Sequence, residues 1–215
     1  ISFILNGGLN GIFIVFDGKA ILGTRARKIR SKSFAAFDSI GYPIAAFIDD
    51  NRIIKYLEAP VVQGEVRFAP SISDSVFLLK LIPGIRPEIL AYLGEHYNII
   101  VIESYGVGGI PFYDKRNFMN ELRTLTEKGK IIVIATQVML EGSDAEKYEV
   151  GALALDRYNV LQSFDMTVES AVTKLMWLCA EHSDYEEIRD GFYTCINHDL
   201  LYEPKNWKRS NLKIQ

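Results

Sequence analysis

Apolar residues along the chain follow two rhythms. From Gly11 to Tyr56 they come in short runs closed by turn residues, beginning with Ile12 to Phe16, a turn at Asp17-Gly18, and a return over Lys19 to Leu22. A two-residue turn of that kind needs positive φ at both central positions, which Asp-Gly adopts at little cost, so the segment predicts a tight hairpin. Ile44 to Ile48 and Arg52 to Tyr56, joined through Asp49-Asp50-Asn51, predict a second. Past Phe68-Ala69-Pro70-Ser71 the apolar runs become continuous, at Val76 to Ile82, Asn98 to Ile102 and Ile131 to Ala135. Such runs read as parallel strands covered on both faces. Between them Pro87 opens a helix through Tyr92, and Phe118, Leu122 and Leu125 mark one face of another that stops near Gly129. A third helix starts near Asp165 or Thr167 and carries Val168, Val172, Leu175 and Cys179 inward, and a shorter one covers Tyr185 to Phe192.

Strands alternating with helices give an α/β fold in two parts. Residues 1–68 read as the hairpin-bearing remainder of a larger α/β domain, 69–75 as a linker, and 76–215 as a smaller Rossmann-like domain with a parallel sheet. The polar, basic tail from Tyr202 to Gln215 reads as a surface extension. An incomplete first domain exposes apolar sheet surface, so self-association is expected.

Composition narrows the partners. With 215 residues, 48% of them hydrophobic, the chain buries a substantial core. A net charge of −3 from 24 basic and 27 acidic side chains gives no electrostatic reason to bind nucleic acid or a membrane surface. No apolar run reaches the roughly 20 residues that span a bilayer, and no signal peptide is visible at the start. Cys179 and Cys195 are too few for a disulfide framework and lack metal-ligand spacing with His96, His182 or His198. A reduced, cytoplasmic setting with no metal and no cofactor is expected.

Three polar segments are candidates for chemistry. In Gly23-Thr24-Arg25-Ala26-Arg27-Lys28-Ile29-Arg30-Ser31-Lys32, five cations fall within eight residues. Crowding of this kind lowers the pKa of any member that is also buried, and a lysine so tuned serves as a general base toward a hydroxyl nucleophile. Lys28 is the candidate; the alternatives are a solvated charged edge or an anion-binding loop. Glu103-Ser104-Tyr105-Gly106-Val107-Gly108-Gly109-Ile110-Pro111 follows a buried strand, where parallel sheets bind ligands and glycines admit close backbone approach. It lacks the third glycine of a dinucleotide fingerprint and the lysine of a P-loop, leaving a ligand contact or a structural turn. Asp165-Met166-Thr167-Val168-Glu169, followed by Thr173-Lys174-Leu175, reads as helix capping.

These features, in this order, resemble the L-asparaginase family, particularly its cytoplasmic type. The likeness runs from about Gly11 to Asn197. It rests on Gly23 to Ser39, Ser104 to Pro111, Thr136-Gln137, Tyr148-Glu149-Val150-Gly151 and Asp165 to Leu175. The resemblance implies a threonine that attacks the asparagine side-chain amide, an acyl-enzyme that water resolves to aspartate, and a lysine in the proton-transfer set. By residue match that lysine is Lys28. The family's Thr-Gly-Gly-Thr and Gly-Thr-Asp-Thr segments are not in this sequence, so the nucleophile, flap tyrosine, second threonine and aspartate are missing. Since members of such a set act as a unit, this chain alone is expected to be inactive.

Family members form dimers or dimers of dimers in which the small domain completes a neighbour's site. Gly106, Gly108, Gly109 and Glu141 mark the segments from which substrate or intersubunit contacts would come. The periplasmic type has an asparagine in the first segment, where this chain runs Gly109-Ile110-Pro111. Glu103 stands where some cytoplasmic members have an arginine for a second asparagine site, so allostery is not implied. The resemblance thus implies an L-asparagine hydrolase that works as a homodimer or homotetramer. Its alternatives are the asparaginase-like subunit of a tRNA-dependent amidotransferase and a non-catalytic binding or dimerisation module.

Overall fold

A computed structural model describes residues 1–50, 52–58, 68–147 and 149–202. The first part holds a short helix α1 (Ser2–Asn6) and strands β1 (Phe13–Phe16), β2 (Lys19–Leu22), β3 (Ala26–Lys28), β4 (Phe37–Ser39), β5 (Ala46–Asp49) and β6 (Arg52–Lys55). The second runs β7 (Val76–Lys80), α2 (Glu88–His96), β8 (Ile99–Ser104), α3 (Phe118–Glu127), β9 (Ile131–Thr136), α4 (Glu149–Arg157), β10 (Leu161–Gln162), α5 (Val168–Glu181) and α6 (Tyr185–Tyr193).

Both hairpins form where the turn chemistry puts them. Asp17 and Gly18 take φ of 49° and 72°, and β1 pairs antiparallel with β2 from Phe13 opposite Leu22 to Phe16 opposite Lys19. β5 pairs with β6 from Ala46 opposite Lys55 to Asp49 opposite Arg52, with Asp50 at φ 50°. Asn51, the other turn residue, lies outside the described residues. β2 joins β5, giving one antiparallel sheet in the order β1-β2-β5-β6. β3 and β4 make a separate two-stranded ribbon that the hydrophobic pattern did not announce.

The second part is a parallel sheet in the order β10-β9-β8-β7. Side chains of successive residues leave a strand on opposite faces, so each continuous apolar run feeds two cores. Ile100, Ile102, Ile132 and Ile134 pack with Leu90, Leu93, Phe118, Leu122 and Leu125 of α2 and α3. Ile99, Val101, Ile131 and Val133 pack with Ala171, Leu175 and Leu178 of α5 and with Ile188 and Phe192 of α6. This is why β8 and β9 are buried along their whole length and lack polar alternation. The α5 stripe comprises Val168, Ala171, Leu175 and Leu178, with the expected Val172 and Cys179 at its half-buried flank.

Helix ends follow side-chain chemistry. Asn117 caps α3 by accepting from Met119 N, and Asp184 caps α6 by accepting from Glu186 and Glu187 N. Thr167 caps α5 by accepting from Ser170 N. Of the two expected candidates, Asp165 and Thr167, it is the threonine that caps; the Asp165 carboxylate faces Arg25 instead. Residues 203–215, expected to form a surface extension, lie outside the described residues, as do residues 59–67.

Candidate functional site

The carboxyl ends of β8, β9 and β10 converge on one edge of the parallel sheet, and the polar segments gather there. Thr136, ending β9, donates through Oγ1 to the Gly106 carbonyl and accepts from Val138 N at 2.9 Å. Gly108 bonds back to Tyr105 O at 3.1 Å, and Gly109 pairs with Tyr105 in an isolated bridge. The loop therefore folds into a tight turn. Gly106 and Gly108 have φ of 51° and 138°, conformations that favour glycine. A Cβ on Gly108 would stand 2.7 Å from Ala145, so its hydrogen is a packing requirement.

Gln162, ending β10, is the buried bracket beneath this loop. Its Nε2 donates to Ser143 O at 2.7 Å and its Oε1 accepts from Ala145 N at 3.1 Å, which fixes residues 143–145. Asp144 N then donates to Val107 O at 2.6 Å, so the glycine loop is held from below. Glu141, exposed, shares an open cleft with Val107, Ser143, Asp144, Lys147 and Tyr202. Gly108 and Gly109 face the other way, onto an apolar groove with Tyr105, Phe112 and Tyr113. The expected segments are thus brought to one edge of the sheet, on either side of one loop. Tyr148 lies outside the described residues.

The cation-rich segment approaches the same edge from the first part of the chain, and here the expectation needs correcting. Burial was expected at Lys28; it falls on Arg25, whose side chain has no accessible surface. Arg25 Nη2 lies 2.7 Å from Asp165 Oδ2, Nη1 donates to Asp165 O at 2.8 Å, and Nε donates to His198 O at 2.6 Å. Its guanidinium lies 5.5 Å from the Tyr42 ring centroid, and Tyr42 stacks on His198. A planar fork with fixed donors suits such a mixed carboxylate and carbonyl pocket, which a lysine ammonium would not fill. Lys28, at the end of β3, is exposed, with Nζ 6.0 Å from the Phe37 ring centroid. Arg27 pairs with Glu169 at 3.2 Å and lines a small cavity with Gly41, Thr136, Met139 and Thr167.

A second buried pair supports the first. Lys174 Nζ contacts Asp199 Oδ2 at 2.8 Å and donates to Thr194 O at 2.6 Å. Burial lowers the Lys174 pKa, while Asp199 pulls it back up. Asp199 Oδ1 also accepts from Ile196 N at 2.8 Å, shaping the turn in which Asn197 and His198 take positive φ. The carbonyls of that turn receive Thr24 Oγ1 and Arg25 Nε. Among the described residues no group of His, Cys, Asp or Glu could hold a metal ion, no helix is long and apolar enough to cross a membrane, and Cys179 and Cys195 are free thiols.

A two-part α/β chain with hairpins first, a parallel sheet after, and polar loops at the carboxyl ends of its strands belongs to the class of open-sheet α/β proteins that bind small ligands at those ends. This chain belongs to the asparaginase family: residues 4–61 match the model "Asparaginase, N-terminal" and residues 75–192 match the "Glutaminase/Asparaginase C-terminal domain". It is 38% identical over 182 residues to an L-asparaginase of Thermococcus kodakarensis, an alignment covering 85% of this chain and 55% of the relative. The solved structure of the thermostable L-asparaginase from that organism superposes with a TM-score of 0.87 at 35% identity, over 94% of this chain and 60% of the other. A glutamyl-tRNA(Gln) amidotransferase subunit from Metallosphaera sedula is 29% identical over 196 residues, covering 86% of this chain and 43% of the relative. The chain therefore spans about half the length of the curated relatives it matches.

Proposed function

We propose that this chain is part of an L-asparaginase that hydrolyses the side-chain amide of L-asparagine to aspartate and ammonia, with Lys28 as a catalytic proton acceptor. In this reading a threonine hydroxyl attacks the amide carbon, ammonia leaves as the ester forms, and water cleaves the ester to regenerate the threonine. The amine of Lys28, exposed in this chain and so dependent on cover from the polypeptide that brings the threonines, accepts the hydroxyl proton through the second threonine and aspartate of the set, and that proton passes on to the departing nitrogen. Neither threonine segment lies in this sequence, so the nucleophile has to come from polypeptide other than these residues. The observation that carries the reading is the collinear series from Gly23 to Lys28 through Thr136-Gln137 to Asp165 and Thr167, set in a chain of the asparaginase family. The enzyme is proposed to work in the cytoplasm as a homodimer or homotetramer, with residues near Gly106 to Gly109 and Glu141 contributing across subunits.

The test is reconstitution. Co-expressed with a polypeptide bearing the two threonine segments, the chain should release ammonia from asparagine, and Lys28→Ala should lower kcat by about 10²- to 10⁴-fold. Full activity in Lys28→Ala would remove the lysine from the mechanism. A second reading is favoured by the amidotransferase relative: the chain would be part of the asparaginase-like subunit of a tRNA-dependent amidotransferase. Glutamine-dependent amidation of glutamyl-tRNA, with no free asparagine hydrolysis, would select it. A start codon close to Ile1 in the coding sequence would instead favour a non-catalytic dimerisation module.

A further inference from the structure

The geometry points to Arg25 and Asp165 as positioning residues for Lys28: a buried clamp that fixes strand β3, and with it the lysine, against the start of α5. The inference rests on the reading of Lys28 as the proton acceptor, since only then does the placement of β3 matter to chemistry. β3 is three residues long and pairs only with the equally short β4, from Ala26 opposite Ser39 to Lys28 opposite Phe37. An isolated two-stranded ribbon of that length has no stability of its own, so its position must be imposed from elsewhere. The residues just before and within it carry the imposing contacts. Thr24 donates through Oγ1 to Asn197 O at 2.7 Å, and its carbonyl accepts from Thr167 Oγ1 at 3.1 Å. Arg25 sends its three donor nitrogens to Asp165 Oδ2, Asp165 O and His198 O, while its own carbonyl accepts from Ile40 N at 2.9 Å. Arg27 reaches Glu169 in the first turn of α5.

These contacts alternate with the exposed position. Arg25 and Arg27 are held on the α5 side, and Lys28 emerges as the first exposed side chain after the clamp, next to Phe37. The carboxylate of Asp165 is itself fixed, because Oδ1 accepts from Leu201 N at 3.0 Å while Oδ2 takes Arg25. A fork bonded at three points to a fixed carboxylate and two carbonyls leaves the strand little freedom to slide or rotate. Productive proton transfer tolerates displacements well under an ångström, so a clamp three residues back along the chain from a catalytic amine controls its reach.

The test uses the full 215-residue chain and NMR, so it does not depend on a supplied nucleophile. Arg25→Lys keeps the charge and loses the fork; Asp165→Asn keeps the shape and loses the charge; Thr24→Val removes one hydroxyl bond from a half-buried site and serves as the mild variant should the others fail to fold. Expected is amide exchange at Arg27 and Ile29, the amides that face across the ribbon toward β4, accelerated by about tenfold or more, with Ile100 to Ile102 of β8 unchanged, and loss of the NOE between the Lys28 ε-methylene and the Phe37 ring. A purely global role would speed exchange in β3 and β8 alike and leave that NOE in place in the folded fraction. That result, or unchanged exchange at Arg27 and Ile29 in Thr24→Val and in whichever buried variant folds, overturns the proposal. Positioning then fails while the Lys28 reading stands; full reconstituted activity of Lys28→Ala sinks the Lys28 reading and leaves the clamp as observed.

Discussion

Asp199 holds two functions in one carboxylate: it neutralises Lys174 inside the protein and shapes the turn at 196–199. Removing its charge leaves a buried ammonium without its carboxylate, facing the Thr194 carbonyl and the Phe192 ring 6.0 Å away. Such orphaning costs more than the pair contributes, because the surviving charge stays out of water. Asp199→Asn should lower the free energy of unfolding by about 3 kcal/mol in urea titration, and a loss under about 1 kcal/mol would show that Lys174 finds water or another partner. Tyr185 offers a pH-dependent counterpart. Burial pushes its hydroxyl up to about 12 from 10.0, with Arg189 opposing, while Oη donates to Asn159 O at 2.9 Å. The folded form therefore binds the phenolic proton more tightly than the unfolded one. This contribution is complete below pH 10 and lost as pH climbs from about 10 to about 12. Tyr185→Phe should flatten the fall of stability over that alkaline window, and an unchanged slope would assign it to other groups. The reach of sequence reading is visible in these same residues. Lys174 and Arg25 look like ordinary surface cations because their partners lie 25 and 140 residues away, and no local pattern announces a contact at that separation.

At the level of elements, legibility followed locality. The Asp17-Gly18 hairpin and the strands β7, β8 and β9 were readable because turn chemistry and hydrophobic runs are written within a few residues. The ribbon of β3 and β4 was not, since Phe37–Ser39 pairs with Ala26–Lys28 across a polar stretch that carries no alternation. Helix α4 was also missed; Gly151 near its start weakens local propensity, and its reason is tertiary, a Cβ there standing 2.2 Å from Ala145 O. Lys28, proposed as the catalytic lysine, was singled out by the crowded cations and then by family likeness, and its expected burial failed because the pocket went to the arginine three positions earlier. The glycine loop gives an element-scale prediction. Gly108→Ala sets a methyl against Ala145 at a φ that L residues avoid, so the turn at Ala145–Lys147 must move. A loss of about 2 kcal/mol in thermal or urea unfolding is expected, with chemical-shift changes confined to residues near 106–109 and 143–151. An effect below about 0.5 kcal/mol would mean that the loop is slack.

Across the whole molecule, the most exposed apolar side chains among the described residues lie in the first part. Ile1, Ile4, Leu5, Ile12 and Phe34 are each at least 75% exposed, and Val15, Phe16, Phe47 and Ile54 on β1, β5 and β6 are also open to solvent. Such a surface lowers its free energy by being covered. Light scattering of the purified chain should show association that grows with concentration, whereas a monodisperse monomer at high concentration would count against a shared apolar surface.

The grip between the two parts has a further corollary for how the chain tolerates change. Arg25 and Thr24 read the backbone carbonyls of His198 and Asn197, not their side chains. The identity at 197 is therefore free to drift among residues that accept a left-handed conformation, that at 198 is tied in addition to the Tyr42 ring, and an insertion or deletion there would carry both oxygens out of reach and unlatch the halves.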